Sequence, residues 1–312
     1  MRAIFLVPPE ETYLDEAIIR AWERRFGEEN LTMIYPSKSP RYVRPQTWLY
    51  SKARGKECRI PQDVLMEGCY DIMFVSRHYL KQEGPVLAKF FSYTGVPVAI
   101  LDNYEAEDRR GDKHVDDRIL AGIKVTYFKC SCPRSRPANV HPISFGFDMK
   151  RNEGRTLPRK DINILMIGAI WKRGIIRRSA AEVIEKMGGR VEDTEETPYT
   201  DAQYLNLIAR ARIAVSCSGA QWDCTKHYEI PAQRTLLFIE EVPPNIEAHY
   251  PYTDGVDAVV FPRSQEGLED KLRYYLEHRV RAQMIAKRGY AHILKYHTLD
   301  RLLDYVMDKM GI

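Results

Sequence analysis

The chain of 312 residues is 44% hydrophobic and 11% aromatic, which is ample for a packed core and more length than one average domain needs. Lys and Arg number 47 against 43 Asp and Glu, and the net charge of +4 permits an anionic ligand without demanding nucleic acid. No stretch approaches the ~20 apolar residues that span a bilayer, and the six Cys (58, 69, 130, 132, 217 and 224) form no Cys-x-x-Cys pair and read as reduced thiols of a cytoplasmic protein.

The opening MRAIFLVPPEE is stopped by Pro8-Pro9, too soon for a secretory leader, and residues 3–7 read as a strand. Residues 14–26 read as a helix, with Leu14, Ala17, Ile18, Ala21 and Trp22 at helical spacing. Strands follow at 31–35, 70–76 and 96–102, a helix at 86–95 ended by Gly95, and a weaker strand at 124–128. Continuously apolar strands separated by helices predict a parallel sheet covered on both faces. Residues 150–160 are charged, contain Gly154 and Pro158, and read as a linker. The pattern then restarts with a strand at 162–168, helices at 175–187 and 202–211, and strands at 212–218, 235–241 and 258–262. Helices at 268–277, 280–296 and 299–310 complete it. The expectation is an α/β fold of two Rossmann-like domains, 1–150 and 151–312, facing across a cleft, with ligands at the carboxyl ends of the strands.

Two segments of the second domain suit a phosphorylated ligand. The strand INILMIG turns at Gly168 into AIWKRGII, where free backbone amides with Lys172 and Arg173 could hold phosphate. An ordinary strand–helix turn with solvated cations fits equally well. In TKHYEIPAQR, Pro231 lacks an N–H and suits the first turn of a helix, which puts the helix start near His227 or Tyr228 and Glu229 at its tip. The tip amides and Lys226 would take a diphosphate, and the Glu229 carboxylate would accept from vicinal sugar hydroxyls. Alternatively Glu229 simply complements the helix dipole. Ser218, closing the 212–218 strand, and His227 are counted on the same donor side.

An ordered set of motifs resembles the C-terminal half of GT-B glycosyltransferases, nearest the group 1 branch that includes spore-maturation-type proteins. The set is KHYEIPAQRTLLFIEEVPP, Asp254-Gly255-Val256-Asp257, Leu268 to Leu276, and Gly289-Tyr290 to His297-Thr298. It covers roughly residues 160–310, and SFGFD at 144–148 is also similar to the family. The resemblance implies a nucleotide-diphosphate sugar as donor substrate; no tightly bound cofactor is expected, and no metal either, because the sequence has no Asp-x-Asp motif and Lys172, Arg173 and Lys226 can neutralise the leaving diphosphate. Glu229 then matches the ribose-holding Glu, Lys226 the basic residue near the diphosphate, and Gly168 with Lys172 and Arg173 the first donor loop. The sequence departs from the pattern at Gln221, where many relatives carry a second Glu, and at Arg234, where Ala-x-Gly is usual.

The first domain is expected to serve the acceptor. Asp102, at a strand's carboxyl end, and His114 are the candidate catalytic groups in LDNYEAEDRRGDKHVDD, which reads otherwise as a solvated charged loop. Segment 37–59 interleaves cations and aromatics, with Arg41, Arg44, Trp48 and Arg54 as candidate acceptor contacts. The acceptor is left open among saccharide, protein and DNA. Two other readings stand beside a hexosyl- or pentosyltransferase. One is a glycosyltransferase acting on modified bases of DNA through 37–59. The other is a catalytically weak nucleotide- or sugar-binding protein, suggested by Gln221 and Arg234.

Overall fold

The computed structural model describes residues 1–6, 13–34, 70–77, 95–103, 125–170, 175–219 and 221–312. The chain divides into two compact units, residues 1–143 with 302–312, and residues 144–301. The helix expected over 86–95 lies outside the described residues.

The first unit is built on six parallel strands: β1 (Ala3–Leu6), β2 (Leu31–Ile34), β3 (Ile72–Ser76), β4 (Val98–Asp102), β5 (Val125–Lys129) and β6 (Val140–Pro142). Their order is β2-β1-β3-β4-β5-β6. Residues of β1 and β3 are buried without alternation, as strands covered on both faces must be. Helix α1 (Tyr13–Phe26) buries Leu14, Ile18 and Trp22, and the Trp22 indole meets the Phe74 ring edge-on at 5.6 Å.

The second unit holds a five-stranded parallel sheet of β7 (Ile162–Gly168), β8 (Arg190–Asp193), β9 (Ala211–Ser216), β10 (Leu236–Glu240) and β11 (Val259–Phe261), in the order β11-β10-β9-β7-β8. Its helices are α2 (Ile175–Lys186), α3 (Asp201–Arg210), α4 (Lys226–Ala232), α5 (Gln265–Glu277) and α6 (Arg279–His292), and α7 (Leu299–Met310) carries the chain back to the first unit. Thr200 and Gln203 close a reciprocal capping box at the start of α3. Strand β8 was not anticipated: RVED is polar and lies at the sheet edge, so it has no apolar run to betray it. The helix expected over 280–296 ends at His292 and continues as a π turn over Ile293–His297.

The stretch read as a linker is pinned within the second unit. Asn152 Nδ2 donates to the Ala232 carbonyl at 3.1 Å, and Lys160 Nζ donates to Ala209 O, Ala211 O and Thr235 Oγ1 at 3.0, 2.7 and 2.9 Å. Its charges look solvated in sequence because the partners are neutral oxygens far along the chain. The Ser144 hydroxyl lies 3.2 Å from His249 Nδ1 and 3.0 Å from His297 Nδ1, with both imidazoles buried.

Candidate functional site

The carboxyl ends of β7 and β9 bring together residues from distant segments. Gly168 closes β7 with φ +140°, where L side chains are strained, and a Cβ there would sit 3.0 Å from Lys226 Nζ. The absent side chain therefore makes room for the Lys226 ammonium over the end of the strand. Among the described residues that ammonium has neither a hydrogen bond nor an ion pair.

Helix α4 begins at Lys226, and Pro231 is its sixth residue rather than part of its first turn. A proline there leaves the carbonyl four residues back, His227 O, without its helical donor. The Tyr252 hydroxyl supplies the missing bond at 2.8 Å. The amides of His227, Tyr228 and Glu229 donate to the carbonyls of Cys224, Thr225 and Thr225. The tip amides expected to take a diphosphate are thus already engaged, and the Lys226 ammonium is the cation left for an anion.

Glu229 closes the first turn of α4 and is 7% exposed. Its Oε1 accepts from Arg151 Nη1 and its Oε2 from the Tyr204 hydroxyl, each at 3.0 Å. Arg151 also pairs with Asp201 and lies 5.2 Å from the Phe147 ring centre. Burial disfavours the charged guanidinium, but Asp201 and Glu229 outweigh it and hold the group firmly protonated. The Tyr204 phenol is pushed well above its ordinary value, first by burial and then by the Glu229 charge. A carboxylate has about four lone-pair positions, so two bonds leave capacity for ligand hydroxyls. Sequence reading missed Arg151 and Tyr204 because one lies in the stretch taken for a linker and the other on α3.

Two further buried groups fix the loops after β7 and β9. Arg177, on α2, donates to Ser218 O at 2.8 Å, Ala169 O at 2.7 Å and Cys217 O at 3.5 Å. Glu240, fully buried at the end of β10, accepts from the Ser218 amide at 2.9 Å and from Arg263 Nη2 at 2.8 Å. Ser218 is thus held by its backbone from both sides. Nearby, Gln221 Nε2 is buried and has no hydrogen-bond partner among the described residues. Leaving such a donor unmet costs about 1–3 kcal/mol.

His227 is fully buried beside Trp222, with ring centres 4.9 Å apart, and its Nδ1 is 3.8 Å from Asp223 Oδ1, an electrostatic contact rather than a hydrogen bond. The neighbouring Cys224 thiol is brought down to about 6: burial opposes its ionisation, but the positive charges of His227 and Lys226 prevail. Reciprocally, His227 is raised to about 9 against the effect of burial, chiefly by the Cys224 thiolate and then Asp223. The two groups therefore titrate together rather than independently.

Asp102 stands at the carboxyl end of β4, as expected, but is 1% exposed and pairs with Lys129 Nζ at 3.1 Å, while the Tyr127 hydroxyl donates to the same Oδ2. A general base there would first have to give up that ion pair. His114, Lys172, Arg173, Arg41, Arg44, Trp48 and Arg54 lie outside the described residues.

Residues 154–308 match the model of a family described as glycosyl transferase-like. No curated protein matches the chain. Among solved structures, a glycosyltransferase from Rickettsia africae ESF-5 is 12% identical, covers 99% of this chain and 97% of its own, and has a TM-score of 0.67. Sucrose-phosphate synthase from Thermosynechococcus elongatus is 12% identical over 100% of this chain and 98% of its own, with a TM-score of 0.66. HepE of Anabaena, solved in complex with UDP-glucose, is 9% identical over 100% and 99%, with a TM-score of 0.67. At these identities the likeness is one of fold, and the fold is GT-B.

Proposed function

With residues 154–308 matched to a glycosyl transferase-like family and the whole chain in the GT-B fold, we propose that the protein transfers a sugar from a nucleotide-diphosphate sugar to a hydroxyl acceptor. The observation that carries this reading is the unpaired Lys226 ammonium against Gly168, on the same short helix as Glu229. In the reaction the bond from the anomeric carbon to the diphosphate oxygen breaks, the acceptor oxygen bonds to that carbon, and the hydroxyl proton passes to a base. Negative charge grows on the leaving diphosphate, and a fixed ammonium beside it stabilises that charge more in the transition state than before it. Lys226 takes this role without a metal ion, helped by Lys172 and Arg173. Glu229 accepts from the ribose hydroxyls, and Arg151 and Tyr204 fix the carboxylate for them.

Support for a UDP-hexose as donor comes from the HepE complex with UDP-glucose. The motif order from Lys226 to Thr298 supports placement beside the spore-maturation-type branch. Asp102 and His114 are the proposed bases, and Arg41, Arg44, Trp48 and Arg54 the proposed acceptor contacts, with residues 1–150 serving the acceptor and 151–312 the donor. Among the described residues no helix is long and apolar enough to cross a membrane, and a cytoplasmic site of action fits a nucleotide-sugar donor.

A melting screen against UDP-, GDP- and TDP-sugars tests the reading. At least one donor should raise the melting temperature and be turned over. Lys226→Ala should weaken UDP binding at least tenfold while leaving uridine binding nearly unchanged, and Glu229→Ala should weaken both. A complete panel with neither shift nor turnover would sink the proposal.

A further inference from the structure

The second unit carries another constellation, at the opposite end of its sheet. Lys160 precedes β7, Arg212 is the second residue of β9, and Arg234 stands just before β10. Gly168 and Ser218 mark the other strand ends, and a seven-residue strand separates the two ends by about 20 Å. Here a cavity of about 640 Å³ opens between these strand starts and one face of α6. Arg279, Gln283, Lys287 and Tyr290 supply that face at spacings of three and four residues.

The charge of this cavity is one-sided. Five of its twelve lining residues are Lys or Arg and none is acidic. Among the described residues no carboxylate forms an ion pair with any of the five. Arg212 Nη1 donates to the amide oxygen of Asn163 at 2.9 Å, and the Arg234 guanidinium lies 4.7 Å from the Tyr290 ring centre. Lys160 uses all three ammonium protons on neutral oxygens and so contributes charge alone. Burial brings it down to about 8, a cost that a nearby anion would offset.

Arg234 adds a second, independent sign. Its φ of 53° lies in the left-handed region, which costs a residue with a Cβ roughly 1–2 kcal/mol. Glycine would remove that strain and also remove the guanidinium from the cavity wall. The arginine is thus held in a conformation suited to glycine, stacked on Tyr290 and facing four other cations.

We propose that this cavity is a second anion site, which binds a small phosphorylated molecule of at least two negative charges, apart from the donor site. The volume falls within the range of roughly 300–1,000 Å³ typical of small-molecule pockets. Three guanidinium groups offer the planar forks that match phosphate oxygens. Leu276, Ala282, Ala286 and the two tyrosine rings give apolar wall for the uncharged part of such a molecule. The volume suits a small ligand better than the backbone of a nucleic acid.

The test uses inorganic pyrophosphate as the probe, titrated calorimetrically at about 150 mM salt, where loose surface attraction is screened. The Lys226→Ala protein, whose donor site lacks its ammonium, should still bind one pyrophosphate. Adding Arg234→Gly, Arg279→Ala and Lys287→Ala should weaken that binding at least tenfold, whereas the same three substitutions in a Lys226 protein should leave UDP affinity within twofold. Arg234→Gly relieves backbone strain and Lys287 is on an exposed helix surface, so folding is preserved, and Lys287→Glu alone gives a second check with the same expected direction. Equal pyrophosphate affinity with and without the three substitutions overturns the proposal, as does no binding to the Lys226→Ala protein. A short DNA duplex that binds where pyrophosphate does not would also overturn it, by making the cavity part of a nucleic-acid surface.

Discussion

Arg151 Nη1 donates to Glu229 Oε1 at 3.0 Å, across 78 residues of chain. Its acceptor sits on the helix that also carries Lys226, so losing the pair should affect both binding and folding. Glu229→Gln keeps the shape and removes the charge. It should weaken UDP roughly 10–100-fold, the scale of one or two charge-assisted hydrogen bonds. The fold should lose about 1–2 kcal/mol, discounted because Arg151 is partly exposed and keeps Asp201. Arg151→Met should raise the donor KM in the same direction. Calorimetry for UDP and denaturant melts for stability read the two effects separately.

Gly168→Ala places a methyl group 3.0 Å from Lys226 Nζ at a φ of +140°. The substitution should cost about 1–3 kcal/mol in backbone strain and displace the ammonium. A double-mutant cycle with Lys226→Ala separates these effects, because the loss in UDP affinity from Gly168→Ala should largely vanish once the amine is gone. Fully additive losses would show that Gly168 acts independently of Lys226.

Cys224 is half-buried and held near 6 by His227 and Lys226. Its alkylation by iodoacetamide should therefore rise with a midpoint near pH 6, well below that of an ordinary thiol. His227→Phe should move the midpoint up by more than one pH unit, and bound UDP should slow the reaction. Mass spectrometry of the peptide containing Cys224 gives the rate. An unshifted midpoint in the His227→Phe protein would remove the imidazolium as the cause.

His249 is pushed down to about 3 by burial and by the nearby His292, and His297 is driven well below its ordinary value by burial and its two histidine neighbours. Both are neutral in the fold, whereas the unfolded chain takes up protons below about pH 6.5. Their contribution is complete above that pH and is lost progressively as the pH falls toward 3. Urea melts between pH 7.5 and 4.5 should show the loss. His249→Asn, which keeps a polar group near Ser144 but cannot charge, should flatten the acid limb while lowering stability at pH 7.5.

Much of the architecture could be read directly from hydrophobic pattern. Strands 3–6, 72–76, 98–102, 162–168 and 236–240 are short apolar runs, and an apolar run of that length between helices has few alternatives to a doubly covered parallel strand. Glu229 and Lys226 were legible because a charged run meets Pro231 just before such a strand. The supporting groups were not. Arg177 sits in an Arg-Arg pair on α2, which reads as solvated surface, yet it is 5% exposed and bonded to three carbonyls. Arg151 belongs to a charged stretch whose partners, Asp201 and Glu229, lie 50 and 78 residues further along the chain. In each case the decisive contact is non-local, and periodicity carries no information about it. Pro231 also misled locally: its ring marks the late part of α4 because Tyr252 supplies a bond the helix cannot.

That last bond gives α4 a tether outside its own hydrogen-bond ladder. The phenol of Tyr252 is anchored in the loop running toward Asp254 and Gly255, so the register of α4 and the conformation of that loop are mechanically joined. Substrate engagement at Lys226 and Glu229 should therefore be felt as slowed amide exchange in residues 250–258, a stretch that touches no part of the nucleotide in this scheme.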